Sequence, residues 1–236
     1  MTETPNLGLP LVQPAQAQKH VTVNEAFVRL DAVSRLTLAS RGVALPPPAV
    51  VDGVCYAVPA GAVNAWSGRD GQIAVGSNGG WDFITPRAGW SAFVLDEGQT
   101  ALFDGTAWRG GQVTMTARGA GLGLRVIEFD HSVTPGPQSL TPLVIPPNAV
   151  VFGVTGRVVT ALSGSLSGWD LGNPGAAGRY GTGLGVGAGS FVRGVLGQPT
   201  AFYAATALQL DATGGSFAGG TVRLAVHLLE LSIPGP

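Results

Sequence analysis

The chain has 236 residues, enough for one large β domain or two smaller ones at roughly 100–200 residues per domain. Hydrophobic residues make up 45% and charged residues only 11%, against about 25% charged in ordinary soluble domains, so a core can form while much of the surface suits burial against further copies. A net charge of -1 gives no attraction for phosphate backbones, Cys55 as the one cysteine rules out an intrachain disulfide or a thiolate metal cage, and no apolar run approaches the ~20 residues of a membrane span. Nucleic acid, membrane insertion and a cysteine-held metal are thereby set aside as partners.

In chain order, the opening is polar and acidic and lacks the basic and apolar regions of a secretory signal. Residues 1–20, with Asn6-Leu7-Gly8-Leu9-Pro10 and Gln13-Pro14-Ala15-Gln16-Ala17-Gln18, read as an extended arm, since proline and glycine oppose a helix. Residues 22–40 read as a helix. Thr22 and Glu25 have capping-box spacing, and Val23, Phe27, Leu30, Val33 and Leu36 recur on one apolar face, with Arg29, Asp31, Ser34 and Arg35 largely off it. Arg41-Gly42 and Pro46-Pro47-Pro48 end it. That stripe needs a cover, either a neighbouring copy or the adjacent β region.

Residues 50–110 carry the turn dipeptides Asp52-Gly53, Asp70-Gly71, Gly79-Gly80 and Asp104-Gly105. The intervening stretches 54–58, 72–75, 81–84, 90–95 and 100–103 read as short strands. Trp66, Trp81, Trp90 and Trp108, four of the five tryptophans, lie here. Indole rings fill the core of a thin meander well, and this is the preferred reading over an exposed sugar-stacking platform. Residues 111–124 shift in composition and read as a linker. Residues 125–236 read as a β-sandwich with strands near 124–129, 139–145, 150–162, 201–210 and 221–231; in the last, Val222, Leu224, Val226 and Leu228 alternate with Arg223, Ala225, His227 and Leu229. From Gly164 to Gly197 a glycine-rich excursion reads as a long loop. The expected organisation is therefore mainly β: an arm and single helix over 1–48, a Trp-rich β-meander over 49–110, a linker over 111–124, and a C-terminal sandwich over 125–236.

Catalytic patterns are sparse. The run from Gly181 to Gly189 has neither the phosphate-loop nor the dinucleotide spacing, and His20, His131 and His227 share no metal-ligand spacing. Glu128-Phe129-Asp130-His131 could set an imidazole beside a carboxylate, but no nucleophile elbow accompanies it. Asp52, Asp70 and Asp104 sit in turns, and Asp96-Glu97 would point to opposite faces of a strand, which leaves little for a two-carboxylate glycosidase. No catalytic residue, metal or cofactor is expected. The combination that does suggest binding is aromatic and polar: Trp169, Asp170, Asn173, Arg179, Tyr180 and Tyr203 around the glycine excursion. Rings can cover sugar C–H groups while polar side chains take hydroxyls. A buried tryptophan anchoring a turn is the competing account of the same residues.

The run Leu7-Gly8-Leu9-Pro10-Leu11-Val12-Gln13-Pro14-Ala15-Gln16-Ala17-Gln18-Lys19-His20-Val21-Thr22-Val23-Asn24-Glu25-Ala26 resembles the opening of a family of uncharacterised tail proteins from prophages and gene transfer agents. So do Trp66-Ser67-Gly68-Arg69-Asp70-Gly71-Gln72-Ile73-Ala74, Thr85-Pro86-Arg87-Ala88-Gly89-Trp90 and Phe103-Asp104-Gly105-Thr106-Ala107-Trp108; the likeness covers about residues 6–110. Ser167-Gly168-Trp169-Asp170-Leu171-Gly172 resembles the distal domain of gene-transfer-agent tail fibres. The resemblance implies a virion fibre, usually a homotrimer, made in the bacterial cytoplasm. Its N-terminal region would dock on other tail or baseplate proteins, and its C-terminal domain would meet a host-surface glycan. A structural baseplate or head-spike adaptor, and less readily a polysaccharide depolymerase, are the alternatives.

Overall fold

The computed structural model describes residues 2–12 and 19–234, which fall into two compact units, Met1–Gly119 and Ala120–Pro236. Among the described residues the architecture is mainly β with one α-helix, as the turn-punctuated sequence leads one to expect.

Residues 2–12 are a small hairpin and not an extended arm. Glu3 bridges Pro10, Thr4 N–H donates to the Leu9 carbonyl (2.9 Å), and Gly8 turns the chain at φ 65°. The remaining arm residues, Gln13 to Gln18, lie outside the described residues. Helix α1 spans Lys19–Ser34, so Thr22 lies inside it and is not its cap. It ends before the expected Arg41-Gly42 stop because Thr37–Leu38 forms strand β1, the middle strand of a sheet.

The helix is rotated relative to the expected stripe. Val23 and Leu30 are 38% and 51% exposed, whereas Asp31 and Ala32 are each 3% exposed. The hairpin explains this orientation. Asp31 Oδ1 accepts from the Thr4 hydroxyl (2.6 Å) and Leu7 N–H (2.6 Å), and Oδ2 accepts from Asn6 N–H (3.0 Å). Turning Asp31 to solvent would strand donors that the hairpin buries, and charge-assisted hydrogen bonds are roughly twice as strong as neutral ones. Burial alone would raise the Asp31 carboxyl, but these donors outweigh it and hold it below the usual carboxylate range.

The sheet of this unit comprises β1, β2 (Cys55–Ala57), β3 (Ile73–Ser77), β4 (Gly80–Ile84), β5 (Ser91–Val94), β6 (Gln99–Phe103) and β7 (Trp108–Gly110), ordered β4-β3-β2-β1-β5-β6-β7. β1 runs parallel to β2 and β5; the other pairs are antiparallel. One face packs Leu38, Ile73, Val75, Val94, Phe103 and Trp108 with Ala32 and Leu36. The other packs Trp66, Val58, Ala62 and Ala74 with Tyr56, Trp81 and Phe83. Trp66 sits 5.2 Å from Trp81, edge to face, and 5.3 Å from Tyr56. Trp66 and Trp108 are buried, and Trp81 and Trp90 half-buried, so the tryptophan cluster is core.

Beyond this sheet, the stretch expected as a linker carries β8 (Gln112–Met115) and the start of β9 (Gly121–Ser132). In the second unit β10 (Gln138–Ile145), β15 (Thr206–Thr213), β12 (Gly168–Asn173) and β13 (Ala176–Leu184) pair in that order. β14 (Phe191–Phe202), β11 (Ala149–Gly164), β16 (Phe217–Ser232) and β9 pair antiparallel in a second, long-stranded sheet. Both contribute to one core, with Ile145, Trp169, Leu171, Leu208 and Leu210 from the first and Val151, Val154, Val222, Leu224 and Val226 from the second. This is the expected sandwich. The glycine excursion, however, is not a loop: it forms β12, β13 and most of β14. A Cβ on Gly194 would strike the Tyr180 backbone, so glycine here lets two strands approach closely enough to pack.

Candidate functional site

The six residues singled out as a sugar site do not come together as a surface. Trp169 is 2% exposed, its faces lie in the sandwich core, and its Nε1–H donates to the Gly185 carbonyl (3.0 Å). Tyr180 is 3% exposed, and burial pushes its phenol up to about 12. Asn173 is buried, with its Nδ2 donating to the Pro174 carbonyl (3.1 Å). Asp170 is half-buried and its Oδ1 accepts Gly183 N–H (2.7 Å), a contact from β12 to the neighbouring strand β13. Only Arg179, whose guanidinium lies 5.9 Å from the Phe202 ring, and Tyr203 are exposed. A ring can stack on an external sugar only if a face is open, so Trp169 and Tyr180 are corrected to core residues.

The Asp130–His131 pairing is likewise split by strand alternation. His131 points into the sandwich, with Nε2 2.8 Å from Ser139 Oγ, while Asp130 points outward and accepts both Nε (2.7 Å) and Nη2 (2.8 Å) of Arg223. Ser139 is buried and also accepts the Thr134 N–H (3.0 Å), so the pair stands as a polar knot in the core. Burial pushes the His131 imidazole below its ordinary value. The folded state therefore favours the neutral ring, and its contribution to stability is present above the unfolded value of about 6.5 and lost as pH falls through the folded value. Melting temperature is expected to fall as the pH is lowered from about 6.5 toward the carboxylate range. Calorimetry of His131→Gln should show a flatter profile over that interval.

The carboxylates are similarly committed. Burial would raise Asp104, but hydrogen bonds from Thr106, Ala107 and Arg109 to its two oxygens hold it far below the usual range. Glu97 accepts from Arg41 Nε (2.6 Å) and Nη2 (3.0 Å). Among the described residues no group of three or more His, Cys, Asp and Glu side chains is placed to hold a metal ion.

The open chemistry lies on the outer face of the long-stranded sheet, across four strands. Strand alternation sends Val222, Leu224, Val226 and Leu228 of β16 inward and Arg223, Ala225 and His227 outward. The pairing registers then align outward residues in rows. Phe191, Arg157, Arg223 and Asp130 form one row; Arg193, Thr155, Ala225 and Glu128 the next; Val195, Gly153, His227 and Val126 the third. The short Thr155 and Ala225 between long arginine, phenylalanine and glutamate side chains leave an open depression of about 470 Å³. His227 Nε2 sits 2.9 Å from Thr155 Oγ1 and marks its border with an apolar end at Leu124, Val126 and Val195. Sequence reasoning found only the β16 member of this face. The alternation in that strand signals the pattern, but Arg157 and Arg193 join it only through register.

Residues 23–109 match the model of a family described as a protein of unknown function, DUF2793. No curated protein matches the chain. Among solved structures, a chain of the cyanophage Pam1 capsid asymmetric unit is similar at 20% identity, covering 50% of this chain and 93% of that chain, with a TM-score of 0.33.

Proposed function

We propose that this chain is a non-enzymatic attachment protein of a phage-like particle, a tail fibre or spike that works as a homotrimer and binds polysaccharide on the host cell surface. The observation that carries the reading is the open, arginine- and phenylalanine-lined depression on the outer face of the sandwich. A shallow site floored by strands suits a polymer running across it. Oligomerisation is supported by sparse charge and by α1, which leaves Val23 and Leu30 exposed and Phe27 half-exposed at i, i+7 and i+4, the spacing of a helix–helix seam. The resemblance over residues 6–110 supports placing the first unit on the particle. Several copies of a weak sugar site gain roughly 10²–10⁴ in avidity where geometry permits simultaneous contact.

Light scattering of the purified chain should give three protomer masses, and fluorescently labelled protein should bind whole host cells. A monomer that binds no cells would refute the proposal. A second reading, an adaptor that docks on another virion protein, draws on the apolar end of the same face, where Val195 on β14 is 81% exposed and Val126 and Leu124 on β9 are exposed as well. Capture of another virion component by protein that ignores cells would favour it.

A further inference from the structure

We propose that the arginine-rich end of this outer face binds the carboxylate of an acidic sugar unit, of the uronic-acid type, within a surface polysaccharide. This rests on the attachment reading and names its ligand class. Register places Arg157 directly across from Arg223 on neighbouring strands. Like charges so placed repel at Cβ separations of about 4.5–5.5 Å and destabilise the sheet. Asp130 relieves Arg223 with two short hydrogen bonds. Arg157 has no such relief: Nη1 reaches only the Gly189 carbonyl at 3.5 Å. Arg193, in the adjoining row, lies 5.7 Å from the Phe191 ring. Among the described residues neither Arg157 nor Arg193 has an acidic partner within ion-pair distance. Two guanidinium groups therefore line one depression without a carboxylate of their own, and arginine can take up a carboxylate in bidentate fashion.

The rest of the lining selects among anions. Phe191 is 61% exposed and offers an aromatic surface to sugar C–H groups. Glu128 and Thr155 line the same depression and can accept hydroxyl hydrogens. Glu128 also disfavours a dianionic phosphate, whereas a monoanionic carboxylate flanked by hydroxyls meets the arginines and the glutamate at once. The local sum of Arg157, Arg193 and Arg223 against Glu128 and Asp130 is one net positive charge, which matches a single carboxylate.

The test uses the full chain in its native oligomer at neutral pH, against immobilised polygalacturonate, alginate, hyaluronate and, as the neutral control, dextran. Binding to at least one acidic polymer and not to dextran is expected, weakening as salt rises. Arg157→Gln and Arg193→Gln should each lose about 10-fold or more in affinity, and the double variant should lose binding while its melting temperature holds. Glu128→Gln should bind phosphorylated polymer better than wild type. Binding to none of the acidic polymers, equal binding to dextran, or undiminished binding by the double variant would overturn the site. So would a double variant whose mass in solution changes, which would make this face a contact between copies. Whole-cell binding separates the two levels. Cells bound equally by wild type and double variant leave attachment standing and remove the acidic-sugar site. Arginine-dependent binding to an acidic polymer with no binding to cells leaves the site standing and removes host attachment.

Discussion

Asp31→Ala is expected to release the N-terminal hairpin and to cost the first unit about 3 kcal/mol of stability, seen as a lowered urea midpoint and as early thermolysin cleavage before Leu7 or Leu11. Three donors converge on this one carboxylate: the Thr4 hydroxyl and the backbone N–H groups of Asn6 and Leu7. Leaving a buried donor unpaired costs about 1–3 kcal/mol; the Thr4 hydroxyl is buried, and the part-buried Asn6 and Leu7 N–H groups add less each. The hairpin can peel away and recover hydration, which caps the loss near its own docking energy. Other tethers are weaker: Asn24 exchanges two hydrogen bonds with Val12 at an exposed position, and Asn6 Nδ2 reaches the Gly53 carbonyl at 3.2 Å. Asp31→Asn should fall between wild type and alanine, because the amide keeps one acceptor but turns a donor toward donors. Since the carboxyl is held below its ordinary range, the hairpin's stability is present above about pH 3.9 and lost as pH falls through the folded value. Acid should therefore expose the hairpin to protease in the wild type and change little further in Asp31→Ala.

The buried role of Asp31 also shows where sequence stops speaking. Helical periodicity ranks faces by side-chain hydrophobicity, and on that measure Asp31 belongs outside. The donors that bury it lie 24 to 27 residues earlier, in a hairpin whose prolines and glycine read as extended chain. The turns and short strands of residues 50–110 were far more legible because their signals are local, although they form no single meander: β1, from outside that stretch, runs parallel between β2 and β5. Gly71, Gly79 and Gly105 all adopt positive φ, as the dipeptides around them require, and strands start within two residues of their expected places. The stretch from Gly164 to Gly197 misled for a related reason. Glycine weakens strand propensity, but Gly194 sits where another backbone passes and any side chain would collide with Tyr180. The outer-face arginines are 36 and 30 residues apart in sequence and become neighbours only through antiparallel register. A pattern confined to one strand could expose Arg223 and His227 but not the depression they help form.

Trp169→Ala is expected to destabilise the second unit by about 3–5 kcal/mol, and with it to lose any cell binding. The indole packs with Leu171, Leu208 and Leu210 in the sandwich core, and its loss opens a cavity while orphaning the Gly185 carbonyl. Were Trp169 a sugar platform, binding would vanish while the melting temperature held, and Trp169→Phe would lose affinity in proportion to ring area. The structure leads to the opposite pattern: binding and melting temperature fall together, and Trp169→Phe loses part of each. Tyr180 supplies the control. Its hydroxyl is buried without a hydrogen-bond partner among the described residues, so Tyr180→Phe removes an unsatisfied polar atom and keeps the ring. Stability should be unchanged or raised by up to about 1 kcal/mol, and cell binding should be intact. Thermal melts and cell adsorption of Trp169→Ala, Trp169→Phe and Tyr180→Phe, measured side by side, thus separate a core that supports a binding face from aromatics that form one. A variant that loses adsorption with its melting temperature unchanged would return these residues to the surface.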